Sequence, residues 1–195
     1  MHRTVFQTPI VSPAFRALFG LWQKLAGWKM AGEYPEEARR CVIIGAPHTS
    51  NWDLPVALMG AFYWRLNIFW MGKDSIFRFP FGGLMRWLGG VAVDRSRSHN
   101  MTQAIAAALT ATEGDAQLVI APEGTRKRVT EWKTGFYYIA LQAKWPILMA
   151  YVDYEKKEIG HFGLFTPTGD VQADLQRIRA HYAQVKGKNP QQFAG

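Results

Sequence analysis

The sequence predicts a single α/β domain: a largely parallel or mixed sheet flanked by helices, with an amphipathic helix ahead of it. Three observations carry this. Short apolar runs at 41–46, 67–71, 90–94, 117–121, 146–152 and 158–164 have strand length, and helical stretches lie between most of them. Strands alternating with helices argue for parallel pairing with both sheet faces covered. A chain of 195 residues that is 48% hydrophobic and 14% aromatic is also large and apolar enough to bury a core.

The N-terminal part stands apart, so residues 1–35 are set off as an amphipathic helical segment and 36–195 as the main domain. Phe15, Leu18, Phe19, Trp22, Leu25 and Trp28 share one face at helical spacing, with Arg16, Lys24 and Lys29 elsewhere. Two environments satisfy such a stripe. One is a lipid interface, which suits a basic, tryptophan-bearing helix; the other is the domain's own surface. Bare solvent suits it least, because large exposed aromatics need a reason.

After the first strand, 54–65 reads as a helix, and a short helical segment at 81–88 precedes the third strand. The alanine-rich stretch 100–112 and the segment 135–143, which stops before Pro146, are helical too. A last helix over 170–185 is expected from Leu175, Ile178, Tyr182 and Val185 at three- and four-residue spacing, with Arg177, Arg179 and His181 off that stripe.

Lys+Arg 23 against Asp+Glu 15 leaves +8, a balance that favours an anionic partner. Nucleic acid, a phosphorylated metabolite, an acidic carrier protein and an anionic lipid surface all qualify on charge alone. Nucleic acid has the least support, since no recognition helix, RNA-binding signature or zinc-finger spacing is present. Cys41 is the single cysteine, which excludes intrachain disulfides and cysteine-rich zinc sites and fits a cytosolic compartment. Its place at the head of an apolar strand reads as a buried thiol. The longest apolar run, 54–64, is too short to span a bilayer, and no signal-type segment opens the chain. His2, His99, His161 and His181 are scattered without ligand spacing, so no metal site is expected.

Chemistry is expected where strands end. Pro47-His48-Thr49-Ser50-Asn51-Trp52-Asp53 follows the first strand directly, and in open α/β sheets the loops at strand carboxyl ends are exposed while their anchors are rigid. A histidine there can take a proton from an alcohol as the alcohol attacks, and a carboxylate on its other ring nitrogen would fix the tautomer. Asp53 has a second reading. Ser50 to Asp53 fits a capping box, in which the carboxylate serves backbone N–H groups, although Pro55 favours a helix starting nearer Asp53.

Ala121-Pro122-Glu123-Gly124-Thr125-Arg126 follows the fourth strand in the same manner. Gly124 permits a tight turn whose N–H can approach a ligand, and Arg126 offers a planar fork suited to phosphate, with Lys127 and Arg128 adjacent. Glu123 would bind an acceptor hydroxyl or orient the arginine. Gly89-Gly90-Val91-Ala92-Val93-Asp94-Arg95 is a third strand ending in a cation, with Arg95 either paired to Asp94 or facing the same anion as Arg126. No G-x-S-x-G elbow marks a serine nucleophile.

These residues resemble the glycerolipid acyltransferase family typified by lysophosphatidic acid acyltransferase. His48 and Asp53 match its histidine and aspartate separated by four residues, Gly89 to Arg95 resembles its second motif, and Pro122 to Arg126 its third. Pro146-Ile147-Leu148-Met149 is similar to its apolar fourth, so the resemblance covers about residues 40 to 152. It departs from the family pattern at Pro47, Ala121 and Lys127.

The resemblance implies direct transfer of an acyl group from a coenzyme A or acyl-carrier-protein thioester to a hydroxyl. No cofactor or covalent enzyme intermediate is implied. His48 would be the general base and Asp53 its partner, with Arg95, Glu123, Gly124, Thr125 and Arg126 around a lysolipid acceptor. It implies a peripheral enzyme on the cytoplasmic face of a membrane. The alternatives are the same chemistry on a non-phosphate lipid acceptor and a non-catalytic lipid-binding module.

Overall fold

A computed structural model describes residues 3–93 and 98–194. Its centre is β2 (Arg40–Ala46), whose Cys41 to Ile44 are all buried. Burial on both faces is why this strand reads as a continuous apolar run and not as an alternation. β2 lies between β5 (Ala116–Ile120) and β6 (Ile147–Asp153), parallel to both. Beyond β5 come β3 (Ile68–Lys73) and β4 (Gly90–Val93), again parallel. Beyond β6 come β7 (Glu158–Phe165), antiparallel to it, and β1 (Lys29–Met30), parallel to β7. The sheet is therefore mixed, in the order β1-β7-β6-β2-β5-β3-β4.

Successive β2 side chains point to opposite faces and join two separate cores. Val42 and Ile44 pack with Leu118, Ile147 and Met149 under α4 (Ser98–Thr110), α5 (Gly135–Ala143) and α6 (Val171–Ala180). Cys41 and Ile43 pack with Ile68 and Leu148 under α2 (Asp53–Tyr63). Cys41 is fully buried, and burial pushes its thiol up to about 12. A short α3 (Gly82–Trp87) leads into β4.

Elements expected from sequence appear with shifts of one or two residues at most boundaries, with two exceptions. β1 is two residues long, below the length at which any periodicity shows. The last helix stops at Ala180, not at 185. Turn bonds from Tyr182 N–H to Arg179 O and from Val185 N–H to Tyr182 O keep Ile178, Tyr182 and Val185 buried on one side. The apolar spacing thus outlives the helix.

The N-terminal α1 (Val11–Ala26) divides its apolar stripe in two. Phe19 stacks on Phe62 of α2 at 5.2 Å, Phe15 lies 5.7 Å from the same ring, and Trp22 packs on the core beside Val56 and Met59. The adjoining Leu18, Leu21 and Leu25 are 60%, 56% and 79% exposed. Ile10, at the helix start, is exposed as well. Trp87 of α3 reaches the same end, donating to Thr8 Oγ1 and meeting Phe15 edge-on. Exposed Phe79, Phe81 and Leu84 lie on α3 and the turn before it. Among the described residues no helix is long and apolar enough to cross a membrane.

Candidate active site

Parallel pairing puts the carboxyl ends of β2, β5 and β6 on one edge of the sheet, so the segments that leave them meet there. The loop from Pro47 follows β2, the Ala121–Arg126 turn follows β5, and Tyr154 follows β6. β4 ends on the same edge at Val93; Arg95 lies outside the described residues.

His48 Nδ1 is 3.0 Å from Asp53 Oδ2. The same oxygen accepts the N–H groups of Thr49 at 2.9 Å and Ser50 at 3.0 Å. Both readings of Asp53 are therefore met at once, although the amides it binds belong to the loop before α2 and not to the helix. The helix starts at Asp53, where Pro55 loses no needed N–H. With the carboxylate accepting, Nδ1 carries the proton and Nε2 on the far edge of the ring is free to act as a base. The Asp53 side chain is 11% exposed and that of His48 30%, so the carboxylate is shielded and the imidazole is reachable.

Glu123 is turned inward, 5% exposed, with Oε1 accepting the His48 backbone N–H at 2.8 Å. It braces the histidine's main chain. Burial raises its carboxyl above the ordinary value, opposed by that amide bond. Arg126 is oriented by a different group, donating to the Asn51 side chain, and its guanidinium is exposed. Gly124 has φ +65°, and a Cβ there would fall 2.9 Å from Lys133 Cδ, which is why glycine suits the turn. Thr125 Oγ1 accepts the Lys127 N–H at 3.3 Å and closes it.

His48 stands at one wall of a cavity of about 540 Å³. Met71, Ile105, Ile120, Phe136 and Ile139 make its apolar lining, and Gly124, Lys133 and Thr134 lie along it. That volume is in the range of small-molecule sites. A proton acceptor beside an apolar cavity and an exposed arginine can activate the hydroxyl of a molecule with a long apolar part and an anionic head.

Sequence reasoning missed Tyr154, whose hydroxyl donates to Asp53 Oδ1 at 2.8 Å. Its position just beyond the carboxyl end of a strand was the available signal, the same one that marks His48 and Glu123. It also missed the segment 186–192, which crosses the loop. Asn189 donates its backbone N–H to Thr49 Oγ1 at 3.2 Å and its side-chain Nδ2 to Thr49 O at 2.8 Å.

The class of the protein is thus an α/β sheet enzyme fold with a histidine–aspartate pair at the end of its central strand. The model of the Acyltransferase family matches residues 29–152, and the chain belongs to that family. Among solved structures it is similar in fold to the 1-acyl-sn-glycerophosphate (LPA) acyltransferase, PlsC, from Thermotoga maritima. The two share 15% identity with a TM-score of 0.58, over 88% of this chain and 78% of that one. Comparison with curated proteins gives no match.

Proposed function

We propose that the enzyme moves a fatty acyl group from an acyl-CoA or acyl-ACP thioester to a hydroxyl of a lysophospholipid-like acceptor of the 1-acyl-glycerol-3-phosphate type. The observation that carries this is the His48–Asp53 pair at 3.0 Å beside an apolar cavity. His48 Nε2 takes the proton of the acceptor hydroxyl as its oxygen attacks the thioester carbonyl. When the tetrahedral species collapses, the carbon–sulfur bond breaks, the ester forms, and the imidazolium returns its proton to the departing thiolate. Asp53 stabilises the imidazolium in between. The base acts on the substrate's own hydroxyl, so no enzyme nucleophile is needed, and the reading calls for no cofactor.

In this reading the acyl chain occupies the apolar cavity and Arg126, with Arg95 by motif match, holds the acceptor phosphate. Gly124 and Thr125 shape the turn that presents Arg126, and Glu123 serves through its hold on His48. The exposed leucines of α1 dock the protein peripherally on the cytoplasmic face of the membrane from which the acceptor comes.

The test is acyl transfer to a panel of lysolipids, read by mass analysis of the product. His48→Ala should lower turnover by about 10³-fold or more with the fold intact, and normal turnover in that variant would sink the mechanism. Arg126→Ala should raise acceptor KM for a phosphorylated acceptor. An unchanged KM would move the reading to a non-phosphate lipid acceptor.

A further inference from the structure

We infer that Tyr154, together with the C-terminal strap 186–192 that it anchors, positions the His48–Asp53 pair. The inference rests on the roles given to His48 and Asp53 above. Neither Tyr154 nor the strap belongs to the segment matched by the family model, which ends at residue 152.

A carboxylate turns easily about its last bond, because torsions of this type are broad. Three donors converge on Asp53 Oδ2, and among the described residues Tyr154 alone is bonded to Oδ1. Its hydroxyl therefore fixes the plane of the carboxylate, and with it the plane in which the His48 ring must lie. Tyr154 is itself held. Trp28 meets its ring edge-on at 5.3 Å, and Lys188 Nζ stands 5.9 Å from the ring centroid. Burial, then the neighbouring Asp53 charge, push its hydroxyl well above the ordinary tyrosine value, so it remains a proton donor throughout the working range. A hydroxyl donating to an ionised carboxylate makes one of the stronger hydrogen bonds in proteins.

The strap closes the other side of the same loop. Tyr154 N–H donates to Lys186 O at 2.8 Å, which ties the strap to the end of β6. Asn189 then makes two bonds to Thr49, the residue between His48 and Ser50. With its amide turned so that the nitrogen faces the two carbonyls, Gln192 donates to Thr49 O at 2.9 Å and to Arg126 O at 2.6 Å. At Gly187 the two segments touch so closely that a Cβ would lie 2.7 Å from Thr49 Oγ1 and 3.1 Å from Pro47 Cβ. The 47–53 loop is thus clasped between Tyr154 and the strap. Holding matters here, because a catalytic group displaced by about 1 Å can lose about a hundredfold in rate.

Tyr154→Phe removes the hydroxyl alone, and Asn189→Ala removes the side-chain bond of Asn189 to Thr49 O. Each should lower kcat by roughly ten- to a hundredfold while leaving the KM of donor and acceptor unchanged, as loss of a supporting hydrogen bond does in other sites. In an Asp53→Asn background the Tyr154→Phe change should have no further effect on the residual rate, since it acts through that carboxylate. Full kcat in both single variants, with His48→Ala inactive, overturns this inference and leaves the proposed reaction standing. An equal loss from Tyr154→Phe with and without Asp53 also overturns it. Turnover by His48→Ala refutes the reaction itself, a result distinct from either.

Discussion

Glu123 shows how one buried side chain can link folding to the geometry of the candidate site. One of its oxygens holds the His48 main chain, while Oε2 is buried with no hydrogen-bond partner among the described residues. Leaving a buried polar atom unpaired costs stability. Because burial raises its carboxyl, the native state holds this proton more readily than the unfolded chain does. The associated stability is fully present below the unfolded-state value and is lost as pH rises through the higher native one. Glu123→Gln keeps the acceptor for His48 N–H and does not titrate. Its Tm relative to the parent should therefore climb as pH is raised from 4 to 7 in thermal scans. A constant difference across that range would show that Glu123 is not the group responsible.

At the scale of elements, α1 is the helix whose stripe serves two environments. Its aromatic half is legible in hindsight, since Phe15, Phe19 and Trp22 are the bulky groups that fill the space over Phe62. The sequence could not separate them from Leu18, Leu21 and Leu25, because both sets fall within one broad apolar arc. If the leucines enter lipid, changing all three to Gln should weaken sedimentation with phospholipid vesicles by about tenfold or more, given the transfer energy of even partly buried leucines. Their exposure means Tm should barely move. Equal vesicle binding by the triple variant would remove α1 from the membrane contact.

The same scale shows what the residues disclosed and what they hid. Strands buried on both faces announce themselves as apolar runs, and their carboxyl ends then marked His48, Asp53 and Glu123. Tyr154 was hidden because a tyrosine after a strand carries no motif, and only the register of β6 beside β2 brings it to Asp53. Asn189 left no trace at all, being 140 residues from the threonine it binds. Glu123 was visible as a site residue, but the atom it serves was not: a backbone N–H has no letter in the sequence.

For the whole molecule, the decisive quantities are the sheet's parallel core and the net charge of +8. Parallel pairing of the central strands gathers three loop chemistries on one edge. The charge bears on where that edge works. Basic residues near an anionic bilayer contribute about 1 kcal/mol each, and the field decays within about 10 Å at 0.1 M salt. Binding to vesicles containing anionic phospholipid should thus fall steeply between 50 and 500 mM salt, roughly in step with the Debye length, and binding to neutral vesicles much less. Equal salt response on both would assign the contact to apolar insertion alone.

The clasp on the 47–53 loop also orders events during synthesis. Thr49 is made long before Asn189, and at about 5–20 residues per second the interval is roughly 7–28 s. Through that interval the histidine and its aspartate can already be joined, yet the outer grip on their loop does not exist. A nascent chain can therefore assemble its sheet before the contacts of Asn189 with Thr49 exist. On the role inferred for the strap, competence waits for the segment that carries Asn189.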